Sequence, residues 1–271
     1  MSETARALPE AQPVRAASAQ PPVFEHPDPK TIAVLLDVDG TLIELAATPQ
    51  AVHVPPSLKH TLAVLRDLLG GALALVSGRP LADLDNIFDP LRVALVGGHG
   101  AETRLRPRGE VERTRIPPMD DRLRRRLIAI AAGTEGVLAE DKGYSLALHY
   151  RLAPQAERYV HDEILRACAA FPDVPAEVLP GKSMFEVKPP AFNKGMAVRE
   201  LMRKEPFAGR RPIFLGDDVT DESVFAVLPE FDGIGYSVGR RFPNTKGVFA
   251  TPREVRHWLY GFIKPRERAG T

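Results

Sequence analysis

Uninterrupted apolar runs alternate with amphipathic stretches along most of this chain. Ile32–Leu36 is apolar at every position, and a stretch near Ser57–Leu69 places Leu58, Leu62, Leu65 and Leu69 on one helical face. Ala72–Val76, a helix from Pro80 and Val93–Val96 repeat the rhythm. Strands apolar on both sides, alternating with helices, predict a parallel sheet covered on both faces. The rhythm returns late in the chain. A helix from Asn193, a strand at Pro212–Leu215, a helix near Asp221–Leu228, a strand at Gly233–Val238 and a last helix near Pro252–Ile263 are expected there.

Between these halves the pattern changes. Glu102–Ile116 reads as a polar, hairpin-like stretch and Met119–Ala132 as a helix. Gly136–Arg151 alternates through Val137, Tyr144, Leu146, Leu148 and Tyr150, as in a sheet with one solvated face. A helix over about Ala153–Ala170 and two short strands, Ala176–Leu179 and Ser183–Val187, complete the segment. This mixture predicts a small α+β unit inserted into the α/β domain. The expected organisation is a Pro-rich flexible tail over 1–30, a core from 31–104 and 191–265, and the inserted unit over 105–190. The tail has no continuous apolar segment of the kind a signal peptide needs.

Composition narrows the functional classes. The chain has 271 residues, with 36 Lys and Arg against 35 Asp and Glu. A near-neutral balance argues against a dedicated nucleic-acid binder. The nine Arg between Arg104 and Arg126, against four acids, read as a solvated, salt-bridged surface. Cys168 is the single cysteine, so neither an internal disulfide nor a cysteine zinc site is available. The apolar run Leu68–Gly78 is about half the ~20 residues of a membrane helix. A soluble, cytoplasmic protein is expected, with a monomer favoured and no nucleic-acid or membrane partner.

Leu36-Asp-Val-Asp-Gly-Thr-Leu42 carries the most chemical information. In an open α/β sheet the ligand site lies beyond the carboxyl ends of the strands, where Asp37 leaves the first one. Asp37 and Asp39, two apart on an irregular backbone, can converge on one reaction centre. An Asx turn is the plainer alternative. A calcium loop fails, because Gly40 stands fourth and Thr48 twelfth, where Gly sixth and Glu twelfth are needed. Three further signals follow in order at strand ends or helix starts: Ser77-Gly78-Arg79, Lys194-Gly195 and Gly216-Asp-Asp-Val-Thr-Asp-Glu222. Each alone reads as a cap, a surface charge or an acidic loop. In this order they resemble the motifs of the haloacid dehalogenase superfamily of phosphohydrolases.

Val76-Ser-Gly-Arg-Pro80, Gly97-Gly-His-Gly-Ala-Glu102, Lys142 with His149-Tyr-Arg151, and Gly216–Glu222 together resemble trehalose-6-phosphate phosphatases from about Ala33 to about Trp258. The resemblance implies a Rossmann-like parallel-sheet core with a C2-type α+β cap that reads the sugar. It implies Asp37 as a nucleophile forming an aspartyl-phosphate, Asp39 as acid and base, and Ser77 and Lys194 on the phosphoryl oxygens. Mg²⁺ would lie between Asp37, the backbone carbonyl of Asp39 and Asp217, and oxygen donors suit that ion. Asp218 and Asp221 would support, holding Lys194 or metal-bound water. Gly78, Arg79, His99, Glu102, Lys142, Arg151, Lys182 and Glu186 are the expected substrate contacts, with Glu186, Lys142 and Lys182 foremost. Exposed strand polarity is the plainer account of the cap residues, and His149 is read as a residue that packs in the sheet. The small-molecule partner is then trehalose 6-phosphate. Alternatives are another sugar phosphate, of the sucrose or mannosylglycerate type, or a catalytically silent sugar-phosphate sensor.

Two tempting motifs fail on spacing. Gly181-Lys-Ser183 lacks the upstream Gly of a P-loop, since Ala176 stands there. Gly98-His-Gly100 lacks the third Gly of a dinucleotide fingerprint, since Thr103 stands there.

Overall fold

A computed structural model describes residues 27–46, 51–106, 109–113, 118–190 and 192–264. Most of the expected tail lies outside these residues. In chain order the elements are β1 (Ile32–Leu36), α1 (Pro56–Leu68), β2 (Leu73–Val76), α2 (Leu81–Phe88), β3 (Ala94–Gly97), β4 (Glu102–Arg104) and β5 (Glu112–Arg113). Then come α3 (Asp121–Ala132), β6 (Leu138–Asp141), β7 (Leu146–His149), α4 (Glu157–Ala169), β8 (Glu177–Gly181) and β9 (Met184–Lys188). The chain closes with α5 (Lys194–Leu201), β10 (Arg211–Gly216), α6 (Glu222–Val227), β11 (Ile234–Val238), β12 (Thr245–Phe249) and α7 (Pro252–Ile263).

Eight strands form the large sheet, in the order β12-β11-β10-β1-β2-β3-β4-β5. The six from β12 to β3 are parallel, and β4 and β5 add antiparallel at the edge. The central strands are apolar because both faces are covered: β1, β2 and β3 are buried at every position. Leu58, Leu62 and Leu65 of α1 seal one stretch of that core, and Trp258 and Leu259 of α7 another. The fold is the α/β type expected.

A second, four-stranded antiparallel sheet, β6-β7-β9-β8, has its own apolar cluster with α3 and α4. Leu146 and Leu148 of β7 and Phe185 and Val187 of β9 point into that cluster. The other face differs from expectation. It is covered in part: Ala147 and, opposite it, Glu186 are buried, Leu138 at the edge is exposed, and the face turns towards the carboxyl ends of the large sheet.

Two further details depart from the sequence reading. β5 lies beyond residue 104, yet it hydrogen-bonds to β4 and so extends the large sheet. The polar hairpin is an edge of the first layer, because a short antiparallel return is enough to pair with β4. β12 was not anticipated. Its sequence, Thr-Lys-Gly-Val-Phe, breaks the apolar run, but only alternate residues need burial in a strand at the sheet edge, and Thr245, Gly247 and Phe249 supply it.

Candidate active site

Asp37, Ser77, the Gly98–Gly100 turn and Asp217 follow β1, β2, β3 and β10, so four parallel strands deliver them to one end of the sheet. Asp37 is buried, and its amide donates to the Leu215 carbonyl (2.9 Å). Lys194 opens α5, where Asn193 fixes the helix start by accepting the Met196 N–H (2.9 Å). From there Lys194 Nζ donates to Asp37 Oδ1 and to Asp221 Oδ1, at 2.7 Å each. Asp221 Oδ2 accepts the amides of Asp217 and Asp218 at 2.9 and 3.0 Å. Asp221 therefore ties Lys194 to the loop after β10. Asp218 accepts the Val219 N–H (2.7 Å) and shapes the same loop.

Electrostatics follow from burial. Burial pushes the Asp37 carboxyl well above the usual carboxylate range; Asp221 and Asp217 add to this, while the Lys194 ammonium pulls the other way. Burial alone would lower Lys194, but Asp221 and Asp37 overcome it and hold the ammonium charged. Burial, with Asp217 and Asp221, also raises Asp218.

Asp37, Asp217 and Asp221 each offer a carboxylate oxygen within 4.8 Å of the others. Clustered hard oxygen donors of this kind are the donor type a small divalent cation takes. Gly40 gives the cluster its close approach: it has φ +85°, and a Cβ there would stand 2.2 Å from Asp217 Oδ2. Asp217, 1 % exposed, accepts the Thr41 hydroxyl on Oδ1 (3.0 Å) and Lys182 Nζ on Oδ2 (2.5 Å).

Asp39 stands apart from that cluster. Arg79 grips its carboxylate with two parallel bonds, Nε to Oδ2 at 2.6 Å and Nη2 to Oδ1 at 2.7 Å. Ser77 Oγ accepts the Arg79 amide (3.1 Å).

An open cleft lies beneath the second sheet. Asp37, Asp39, Ser77, Gly78, Arg79, His99, Lys142, Arg151, Lys182, Glu186, Lys194, Asp217 and Asp218 all line it. Glu102 does not. Its carboxylate accepts the Leu81 N–H (3.0 Å) at the start of α2 and pairs with Arg113 (3.2 Å). Opposite Gly97 at the end of β3, the antiparallel β4 turns it towards the start of α2.

Glu186 is at the cleft but already satisfied. Oε1 accepts Ser145 Oγ (2.7 Å), Oε2 pairs with His99 Nε2 (2.8 Å), and Lys142 Nζ lies 3.2 Å from both oxygens. Burial disfavours its charge, yet His99 and Lys142 hold the carboxyl well below the usual range. Lys142 also donates to the Gly78 carbonyl (3.2 Å), and Arg151 donates to the Lys182 carbonyl (3.0 Å). Glu140, paired with His149 at 2.9 Å, lines the cleft without having been singled out from the sequence. Its place two residues before Lys142 was the available signal, since strand alternation puts positions i and i+2 on one face.

Among families of known sequence, the family described as Trehalose-phosphatase matches residues 35–251. A probable trehalose-phosphate phosphatase of Sinorhizobium fredii is 43 % identical over 221 residues, covering 81 % of this chain and 82 % of that protein. The trehalose-6-phosphate phosphatase of Escherichia coli is 36 % identical over 244 residues, covering 88 % and 89 %. In structure, the C-terminal domain of a Candida albicans trehalose-6-phosphate phosphatase aligns with a TM-score of 0.78 at 22 % identity, over 91 % of this chain and 99 % of that one, a likeness of fold. The fold is also that of solved haloacid dehalogenase-like hydrolases.

Proposed function

Because the chain belongs to the trehalose-phosphatase family of phosphoric monoester hydrolases, we propose that it hydrolyses trehalose 6-phosphate to trehalose and phosphate, as a cytoplasmic enzyme of trehalose biosynthesis. The observation that carries the reading is the buried Lys194 bridge between Asp37 and Asp221, set beside Asp217 at the floor of the cleft.

A phosphate monoester approaches as a dianion, so a carboxylate nucleophile needs positive charge beside it. Lys194 supplies a fixed ammonium 2.7 Å from Asp37. The free oxygen of Asp37 attacks phosphorus, the bond from phosphorus to the sugar oxygen breaks, and Asp39 gives its proton to that oxygen. In the second half Asp39 takes a proton from water, which attacks the aspartyl-phosphate and regenerates Asp37. Ser77, at the end of β2, would donate its hydroxyl to a phosphoryl oxygen. Asp37, the Asp39 carbonyl and Asp217 would hold a Mg²⁺ ion, which would supply charge neutralisation to the phosphoryl group. Lys142, Arg151, Lys182 and the Glu140–His149 pair give the cap face its donors and acceptors for sugar hydroxyls. We assign the inserted unit, from α3 to β9, as the sugar-reading cap.

The test is phosphate release from trehalose 6-phosphate, with a panel of other sugar phosphates, in Mg²⁺ and in excess chelator. Mg²⁺-dependent release with trehalose 6-phosphate preferred is expected. Release from none of the panel would overturn the reading.

A further inference from the structure

We propose that Arg79 is the positioning residue of the acid–base carboxylate: it holds Asp39 at the cleft and away from the cation cluster. The inference rests on the phosphatase reading above and deepens it, since the sequence assigns Arg79 only to substrate contact.

Three observations support it. Asp37 and Asp39 are two residues apart on one loop, and a cation held beside Asp37 and Asp217 would attract any carboxylate side chain nearby. Asp39 is nevertheless absent from the set whose oxygens lie within 4.8 Å of one another. Both of its oxygens instead accept from the Arg79 fork, at 2.6 and 2.7 Å; this is the ionised form, and the acid step requires one oxygen to leave the fork and take up a proton while the other keeps its bond to Arg79. A planar guanidinium fixes the plane and direction of a carboxylate in a way that a point charge does not. Finally, Arg79 is itself held. Its amide donates to Ser77 Oγ (3.1 Å) and its carbonyl accepts the Gly98 N–H (2.8 Å). A Cβ at Gly97 would come within 2.9 Å of that carbonyl, so the β3 backbone packs directly on it. The clamp is built into the ends of β2 and β3.

A general acid displaced by about 1 Å loses on the order of a hundredfold in rate. Only leaving groups that need the proton feel that loss. An alkoxide such as the trehalose 6-oxygen needs it; 4-nitrophenolate does not.

The experiment measures single-turnover phosphoenzyme formation from trehalose 6-phosphate and from 4-nitrophenyl phosphate. It compares wild type, Arg79→Gln, Arg79→Lys, Asp39→Asn and the double variant Asp39→Asn/Arg79→Gln. Arg79→Gln is expected to slow the sugar phosphate about tenfold to a hundredfold and the aryl phosphate by less than about threefold. Arg79→Lys, which restores charge without the fork, should stay within about threefold of Arg79→Gln. In the Asp39→Asn background the loss of Arg79 should cost less than about threefold more, because the two residues act as a unit. Losses that multiply in the double variant, equal losses on both substrates, a raised KM alone, or full rescue by Lys would each overturn the inference. A wild-type protein that releases phosphate from neither substrate removes the proposed function and this inference with it, a result the variant comparisons cannot mimic.

Discussion

Replacing Glu186 by Ala should destabilise the protein and slow it on every phosphate monoester. The carboxylate is 2 % exposed and meets Ser145, His99 and Lys142 at 2.7 to 3.2 Å. Its removal strands the Lys142 ammonium, whose side chain is 6 % exposed, and leaves His99 Nε2 without that partner. Breaking a buried ion pair from one side costs about 3–5 kcal/mol. At about 2–4 °C per kcal/mol for a domain of this size, the melting temperature should fall by roughly 6–20 °C. Glu186→Gln keeps the shape and one acceptor, so it should cost about half as much. The acid side gives a second reading. The folded-state carboxyl sits below its ordinary value of 4.5, so its contribution is complete above that pH and is lost as pH falls through the folded value. The stability gap between wild type and the Gln variant should therefore close in acid. Thermal melts across pH, with rates on trehalose 6-phosphate and on an aryl phosphate, test both points. A Glu186→Ala variant that melts within about 1 °C of wild type, and loses only the sugar phosphate, would refute the reasoning: the carboxylate would then be committed to the sugar.

Asp37→Asn should reduce turnover below about a hundredth of wild type while the melting curve stays cooperative, because an amide cannot form the acyl phosphate; a phosphate-release assay checks this. Since burial raises Asp37 and a cation favours the ionised form, calorimetric Mg²⁺ affinity should rise with pH up to the Asp37 value, by up to about tenfold per pH unit; a pH-independent affinity would contradict it. Lys182→Met should tighten Mg²⁺ binding about tenfold, the lower end for a hydrogen bond to a charged group, because the ammonium and the cation would draw on the same Asp217 carboxylate; unchanged or weaker binding by calorimetry would argue against that competition.

The floor of the cleft was legible in the sequence because its geometry is local. Asp37 follows five consecutive apolar residues, which can only be a buried strand end in this setting, and Asp217 follows another such run. Asn193 before Lys194 is a helix start by residue type alone. Residues whose partners are distant in sequence were less accessible. Glu186 has a strand's alternation and a polar side chain, and nothing local says that His99, 87 residues away, fills its outer oxygen. Glu102 belongs to a motif that leads to the site, but the antiparallel turn of β4 carries it to Leu81. β12 was missed because Lys246 and Gly247 interrupt its apolar pattern, and its identity as a strand depends on pairing with β11.

The charges at the floor explain why Lys182 and Lys194 behave differently. Asp37, Asp217 and Asp221 present three buried carboxylates, and two ammonium groups reach them. Lys194 grows from the core, is 3 % exposed and bridges two of the three, so it is part of the scaffold. Lys182 is carried on the turn between β8 and β9, its side chain is 46 % exposed, and it meets only Asp217 among the three. Its ammonium can return to water at low cost, whereas Asp217 cannot. With Lys182 in place the group keeps a net negative charge; with a divalent cation in its stead the charges cancel. Neutralising Asp217 thus has two solutions, one attached to the inserted unit and one drawn from solution. Exchange between them changes what holds that unit against the core, so the competition predicted for Lys182→Met should be strongest at low ionic strength, where both cations feel the least-screened carboxylate.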